Sequence, residues 1–150
     1  MALLFSYYGD DFTGSTDALE ALSVHGVRTV LFPGVPSEPQ LQRFKDYDAI
    51  GIAGESRSRS PEWMHRNLPR IFEFLHSLGA PVTQYKVCST FDSSPETGNI
   101  AVAMAIGREV FRSVCVPVVS RRPISVDTCC SEICSPRRAE GSIESIATRP

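Results

Sequence analysis

The sequence predicts an α/β fold: a three-layer, mostly parallel sheet of about five strands, helices on both faces, and an irregular C-terminal tail. Two patterns carry that expectation. Short β-rich apolar runs alternate with helical stretches from residue 2 to residue 119, at the spacing of βαβ units. Three of the most polar loops, Gly9 to Asp17, Gly54 to Ser60 and Cys88 to Gly98, each follow a strand. In a parallel sheet these loops share the edge where the carboxyl ends of the strands gather, and such sheets bind ligands there.

Each element has its own local reason. Residues 2 to 8 are apolar and aromatic and stop at Gly9-Asp10-Asp11, which reads as a buried strand and a turn. Ala18, Leu19, Ala21, Leu22 and Val24 then make a helical face, with Gly26 as its C-terminal stop. Val27 to Phe32 is a second strand, closed by Pro33-Gly34-Val35-Pro36. A short helix around Gln40 to Lys45 leads to Ala49-Ile50-Gly51-Ile52-Ala53, a strand apolar on both faces. Ser60-Pro61-Glu62 starts a long helix, with Ser as N-cap and Pro at the first helical position, and Gly79 ends it. Trp63, Phe72 and Phe74 of that helix are most simply core. Val82 to Val87, Ile100 to Phe111 and Val114 to Val119 are the fourth strand, a further helix and the fifth strand.

Composition narrows the function classes. The 150 residues carry a formal net charge of −2, which gives no general attraction to nucleic acid or to an acidic membrane. The N-terminus lacks a basic leader and turns acidic by Asp10, and no apolar run reaches the ~18 residues of a membrane span. A cytoplasmic protein is expected. Cys88 and Cys115 stand singly, as reduced thiols do, whereas Cys129, Cys130 and Cys134 crowd together. A zinc site would want a second pair of ligands, and His25, His65 and His76 all lie far from that cluster, so no metal site is expected.

The three loops hold the candidate chemistry. In Asp10-Asp11-Phe12-Thr13-Gly14-Ser15-Thr16-Asp17, two adjacent carboxylates at a strand end can accept hydrogen bonds from hydroxyls, and one can serve as a general base. Gly14 permits close backbone approach, Ser15 or Thr16 can cap the helix, and free amides there suit an anion. A capped helix start with solvated acids accounts for the same residues. Arg57 and Arg59 offer guanidinium groups for a carboxylate clamp, or merely a solvated loop before an N-cap. Lys86 ends an apolar strand, where an ammonium is costly unless it meets an anion or snorkels to the sheet edge. Ser89 and Thr90 can bond hydroxyls or a carboxylate. Cys88 has no histidine near it in sequence to activate it, so it reads as positional. No dinucleotide fingerprint or Walker loop occurs.

Taken together, GDDFTGSTDALEAL, GIAGESRSRSPEW and YKVCSTFDSSPETGNI resemble, in order and spacing, the N-terminal domain of the four-carbon acid sugar kinases. The resemblance runs from about Leu3 to Val119. It implies a kinase of two domains, with this one, residues 1–119, binding a small acid such as threonate, erythronate or 3-oxo-tetronate, and a C-terminal one binding ATP and Mg²⁺. The CSTFD wording is nearest the 3-oxo-tetronate branch. Carried over, Asp10, Asp11, Arg57, Lys86, Cys88, Ser89 and Thr90 become substrate-binding residues. Lys86 and Arg57 are expected to balance the substrate carboxylate, and Asp11 to orient or deprotonate the attacking hydroxyl. Without the ATP domain, the chain is expected to bind poorly and to catalyse nothing alone.

After Val119 the character changes. Residues 120–150 are rich in Ser, Arg, Pro and Cys, with neither helical nor strand periodicity. Disorder is one explanation. A shift of reading frame is the sharper one. Joining the third base of each codon to the first two of the next, with synonymous codons chosen freely, rereads Pro123 onward as PHLGRYVLFGNLFA. The stretch around Gly141 to Arg149 becomes VDRIDRHP. Both look like what the family carries after its fifth strand. The tail is then non-native coding and its cysteines are accidents. A stand-alone hydroxy-acid-binding module, with the tail a genuine extension, is the alternative; a secreted effector-like interaction protein is a third. The oligomeric state is not legible.

Overall fold

A computed structural model describes residues 3–119. The chain divides into two units, Met1–Pro117 and Val118–Pro150, and every described helix and strand belongs to the first. The cysteines Cys129, Cys130 and Cys134 and the reread tail lie outside the described residues.

Four strands, β1 (Phe5–Gly9), β2 (Thr29–Phe32), β3 (Ala49–Ala53) and β4 (Val82–Lys86), form one sheet in the order β2-β3-β1-β4. All pairs are parallel, with Tyr8 opposite Ile52 on one side and Tyr85 on the other. The helices are α1 (Phe12–Val24), α2 (Glu38–Gln42), α3 (Pro61–Ser77) and α4 (Ile100–Phe111), with a 3-10 turn at Ser56–Ser58. The central strands are buried along their length because helices cover both faces, and β3 reads AIGIA with every residue buried.

Alternation along β1 sends neighbouring side chains to opposite layers. Tyr8 joins Ile50, Ile52, Leu68, Phe72, Leu75, Ala103 and Ile106 in the core beneath α3 and α4. Tyr7 lies on the α1 side, where its hydroxyl donates to the Ser15 carbonyl at 3.0 Å. The glycines between the tyrosines are steric requirements. A Cβ on Gly51 would sit 2.2 Å from the Tyr7 ring, and one on Gly54 would sit 2.1 Å from that of Tyr8. The chain thus leaves β1 toward the α1 layer and leaves β3 and β4 toward the α3–α4 layer. The loops after these strands therefore meet at the carboxyl end of β1, the edge where such sheets bind ligands.

Two sequence expectations need correction. The fifth strand is not formed: no strand follows β4 among the described residues, and Val114 is 93% exposed. Pro117 removes a ladder donor, and Val114 finds no apolar face to pack on, so the run stays unpaired. The start of α1 also differs. Its N-cap is Asp11, whose carboxylate accepts from the Gly14 amide, so Ser15 and Thr16 lie inside the first turns. Asp is a strong cap, and it captures the amide three residues on before the hydroxyls further along are reached. Ser15 instead donates to the Asp11 carbonyl at 2.6 Å.

Candidate functional site

Backbone bonds tie the three loops together at the strand ends. The Asp10 amide donates to the Lys86 carbonyl at 2.9 Å, and the Gly54 amide to the Gly9 carbonyl at 2.9 Å. Arg57 then donates its amide to Asp10 at 3.0 Å, and Gly98 its amide to Arg59 at 2.9 Å. Gly98 has φ +60, and a Cβ there would lie 2.4 Å from the Arg57 carbonyl, so no other residue fits without a shift.

Arg57 is the hub. One terminal nitrogen donates to Asp11 at 3.0 Å; the other donates to the Thr90 hydroxyl at 3.1 Å and to the Asp92 carboxylate. Thr90 in turn donates to Asp92 at 2.7 Å and lies 3.5 Å from the Cys88 sulfur. The two carboxylates hold the guanidinium firmly protonated, Asp92 contributing most and Asp11 next. Burial pushes the Asp11 carboxyl up, but the Gly14 amide, the Cys88 thiol and Arg57 outweigh it and leave the group below its usual range. Thr90 and Arg57 likewise lower Asp92. Asp92 is the residue that sequence reading missed. Its only signal in the sequence is an acidic residue in the same polar loop as Ser89 and Thr90.

Lys86 has a different environment. Its ammonium is half-buried and donates to the Val87 carbonyl at 2.7 Å, and it forms no ion pair among the described residues. A Cβ on Gly14 would come within 3.3 Å of Nζ, so the ammonium lies against the first turn of α1. Asp10 is only 2% exposed, and its Oδ1 has no partner. Burial pushes its carboxyl up to about 6, against the pull of the Cys88 amide, Lys86 and Arg57. Ser89 is exposed at the same edge. Arg59, by contrast, turns away to Glu55 at 2.7 Å and over the Trp63 ring at 5.5 Å.

The edge therefore presents an ammonium, a guanidinium held by carboxylates, and hydroxyls from Ser89 and Thr90. No group of three or more His, Cys, Asp or Glu that could hold a metal ion is assembled among the described residues. No helix among them is long and apolar enough to cross a membrane.

A parallel α/β layer whose polar loops converge at the carboxyl ends of its strands is the class that the fold defines. The chain belongs to the family described as sugar-binding N-terminal domain, which matches residues 5–122. It is 56% identical over 105 residues to a 3-oxo-isoapionate kinase of Paraburkholderia graminis, covering 70% of this chain and 22% of that protein. Against a 3-oxo-tetronate kinase of Methylobacterium radiotolerans it is 34% identical over 104 residues, covering 69% of this chain and 24% of that one. The chain thus spans under a quarter of the length of these relatives. Among solved structures, a Salmonella typhimurium LT2 protein provisionally described as a tRNA synthase superposes with a TM-score of 0.63. That pair is 30% identical, covering 73% of this chain and 25% of the other. A Bordetella bronchiseptica domain of unknown function, solved as a domain-swapped dimer with bound citrate, shares the fold with a TM-score of 0.60. It is 20% identical and covers 71% of this chain and 25% of its own.

Proposed function

We propose that residues 5–122 form the acceptor-binding part of a cytoplasmic kinase that phosphorylates a small sugar acid. The observation that carries the reading is Lys86, a half-buried ammonium at the convergence of three loops that forms no ion pair among the described residues. It holds the substrate carboxylate, helped by the positive end of α1. Asp10 lies beneath the ligand, Ser89 meets a hydroxyl, Thr90 joins Arg57 at the carboxylate, and Cys88 holds the start of the loop. Asp11 was expected as a possible base. Its oxygens are engaged by Gly14 and Arg57, and its lowered pKa suits accepting a hydrogen bond better than a proton. ATP and its Mg²⁺ would be held mainly by a separate C-terminal domain, as the family resemblance implies. The wording of the third loop points to 3-oxo-tetronate, whereas the 56%-identical relative is a 3-oxo-isoapionate kinase. Both acids belong in the test.

The test is an NMR shift titration of the full chain at millimolar 3-oxo-isoapionate, 3-oxo-tetronate, threonate and erythritol, the last a four-carbon polyol without a carboxylate. The acids should shift the amides of residues 11–14 and 86–90, and erythritol should not. Lys86→Gln should weaken acid binding roughly ten- to hundredfold, the range of a charged hydrogen-bonded partner. Equal binding of erythritol, or an unaffected variant, would sink the reading.

We infer also that the coding frame changes near residue 122. The family match stops at Arg122, close to where the composition changes. Sequencing the gene across the codons for Val118 to Arg122 and downstream tests this. An added or missing base followed by an open frame is the expected result, and an intact frame closed by a stop after Pro150 rejects it.

A further inference from the structure

We propose that Asp92 is an internal competitor for the ligand carboxylate, occupying Arg57 until a sugar acid displaces it. This inference rests on the functional reading above and deepens it.

Arg57 carries one positive charge and faces two carboxylates, Asp11 and Asp92. They are not equivalent. The Asp11 side chain is 20% exposed and is also fixed as the α1 cap, whereas that of Asp92 is 60% exposed and belongs to a loop. Asp92 takes a guanidinium nitrogen and the Thr90 hydroxyl together. That pair of donors is what a sugar acid needs for its own carboxylate, so Asp92 sits where a ligand carboxylate would bind. The residue before it, Phe91, has φ 59 without being glycine, a left-handed conformation that costs energy and needs support from its surroundings. The side chains of Thr90 and Arg57 supply anchors on the far side of Phe91. They also keep Asp92 ionised at neutral pH, so the competitor is present whenever a ligand acid is itself charged.

Two consequences follow. An acid reaching Lys86 meets an arginine already neutralised, so its affinity is lower than the two cations alone would give. A neutral polyol never competes for Arg57 and is indifferent to Asp92. The carboxylate of Asp92 therefore sets acid affinity selectively.

The experiment uses the full chain as wild type, Asp92→Asn and Asp92→Ser, two conservative changes at an exposed position. Guanidinium NMR of Arg57 in ligand-free protein reads whether the competitor is released. Titration with threonate and with erythritol reads the effect on binding. The expected result is a sharpened-to-averaged change of the Arg57 signals and a roughly two- to fivefold tighter threonate Kd, the size of an exposed ion pair, with erythritol unchanged. Weaker or unaltered threonate binding in both variants, with wild type still binding, overturns the competitor and leaves the functional reading standing. No threonate binding by any of the three, despite freed Arg57 signals, overturns both.

Discussion

The first and third loops supply the site from opposite mechanical regimes. The first is locked from below: Asp11 caps α1, the Tyr7 hydroxyl bonds the Ser15 carbonyl, and Ser15 packs so close that a Cβ on Gly9 would lie 2.0 Å from its Oγ. The third is held mostly by itself, through Ser94 bonds to the Thr97 amide and carbonyl, the Ser93 bond to Ile100, and the Asp92 contact to Arg57. Buried polar contacts in a packed layer resist change, whereas exposed side-chain bonds compete with water. The first loop is the rigid side of the candidate site and the third the adaptable one.

The sharpest way to break that contrast is to strike the rigid layer. Gly51→Ala drives a methyl into the Tyr7 ring and should cost about 3 kcal/mol, seen as a lower urea midpoint. A loss under ~1 kcal/mol would mean that the α1 side yields more than its packing implies. Next comes Asp10, whose folded pKa of about 6 exceeds the usual 3.8. The folded state then binds the proton more tightly than the unfolded one, so stability falls as pH rises from about 4 to about 6. The fall should reach roughly 2–3 kcal/mol, and Asp10→Asn should flatten it. Denaturant midpoints at pH 4.5 and 7 check both, and a slope surviving in the variant would assign it elsewhere. The smallest pair tests the loops directly. Asp11→Ala removes a cap and should cost about 1–2 kcal/mol, whereas Asp92→Ala should cost under ~1 kcal/mol. Equal losses by thermal melts would erase the distinction between the loops.

What the sequence revealed follows the same division. The four formed strands were legible because their apolar runs are short and bounded, and α3 because Ser60 and Pro61 mark its start, where Ser60 does accept from Trp63. The convergence of the loops came from topology alone. The fifth strand was overread, since an apolar run shows β propensity but not whether a partner and a covering layer exist. The helix start was placed late because Thr13 to Asp17 are polar and look like loop, while the cap is set by side-chain reach. Residue pattern alone does not separate Arg57 from Arg59, and only the family resemblance favours Arg57. Only the 3-10 turn sends the first to Asp11 and the second to Glu55. Asp92 was invisible as a partner because its contact crosses 35 residues.

The parallel pairing of β1 with β4 carries a consequence for biosynthesis. Asp10 receives its backbone partner from Lys86, and Arg59 receives its own from Gly98, so the acid site closes across separations that span most of the domain. Such distant contacts form late, because a long loop must close before they contribute. A nascent chain with only the first three strands outside the ribosome has the carboxylates of the first loop and no ammonium opposite them. The cluster of three loops is therefore completed only after Gly98 has emerged.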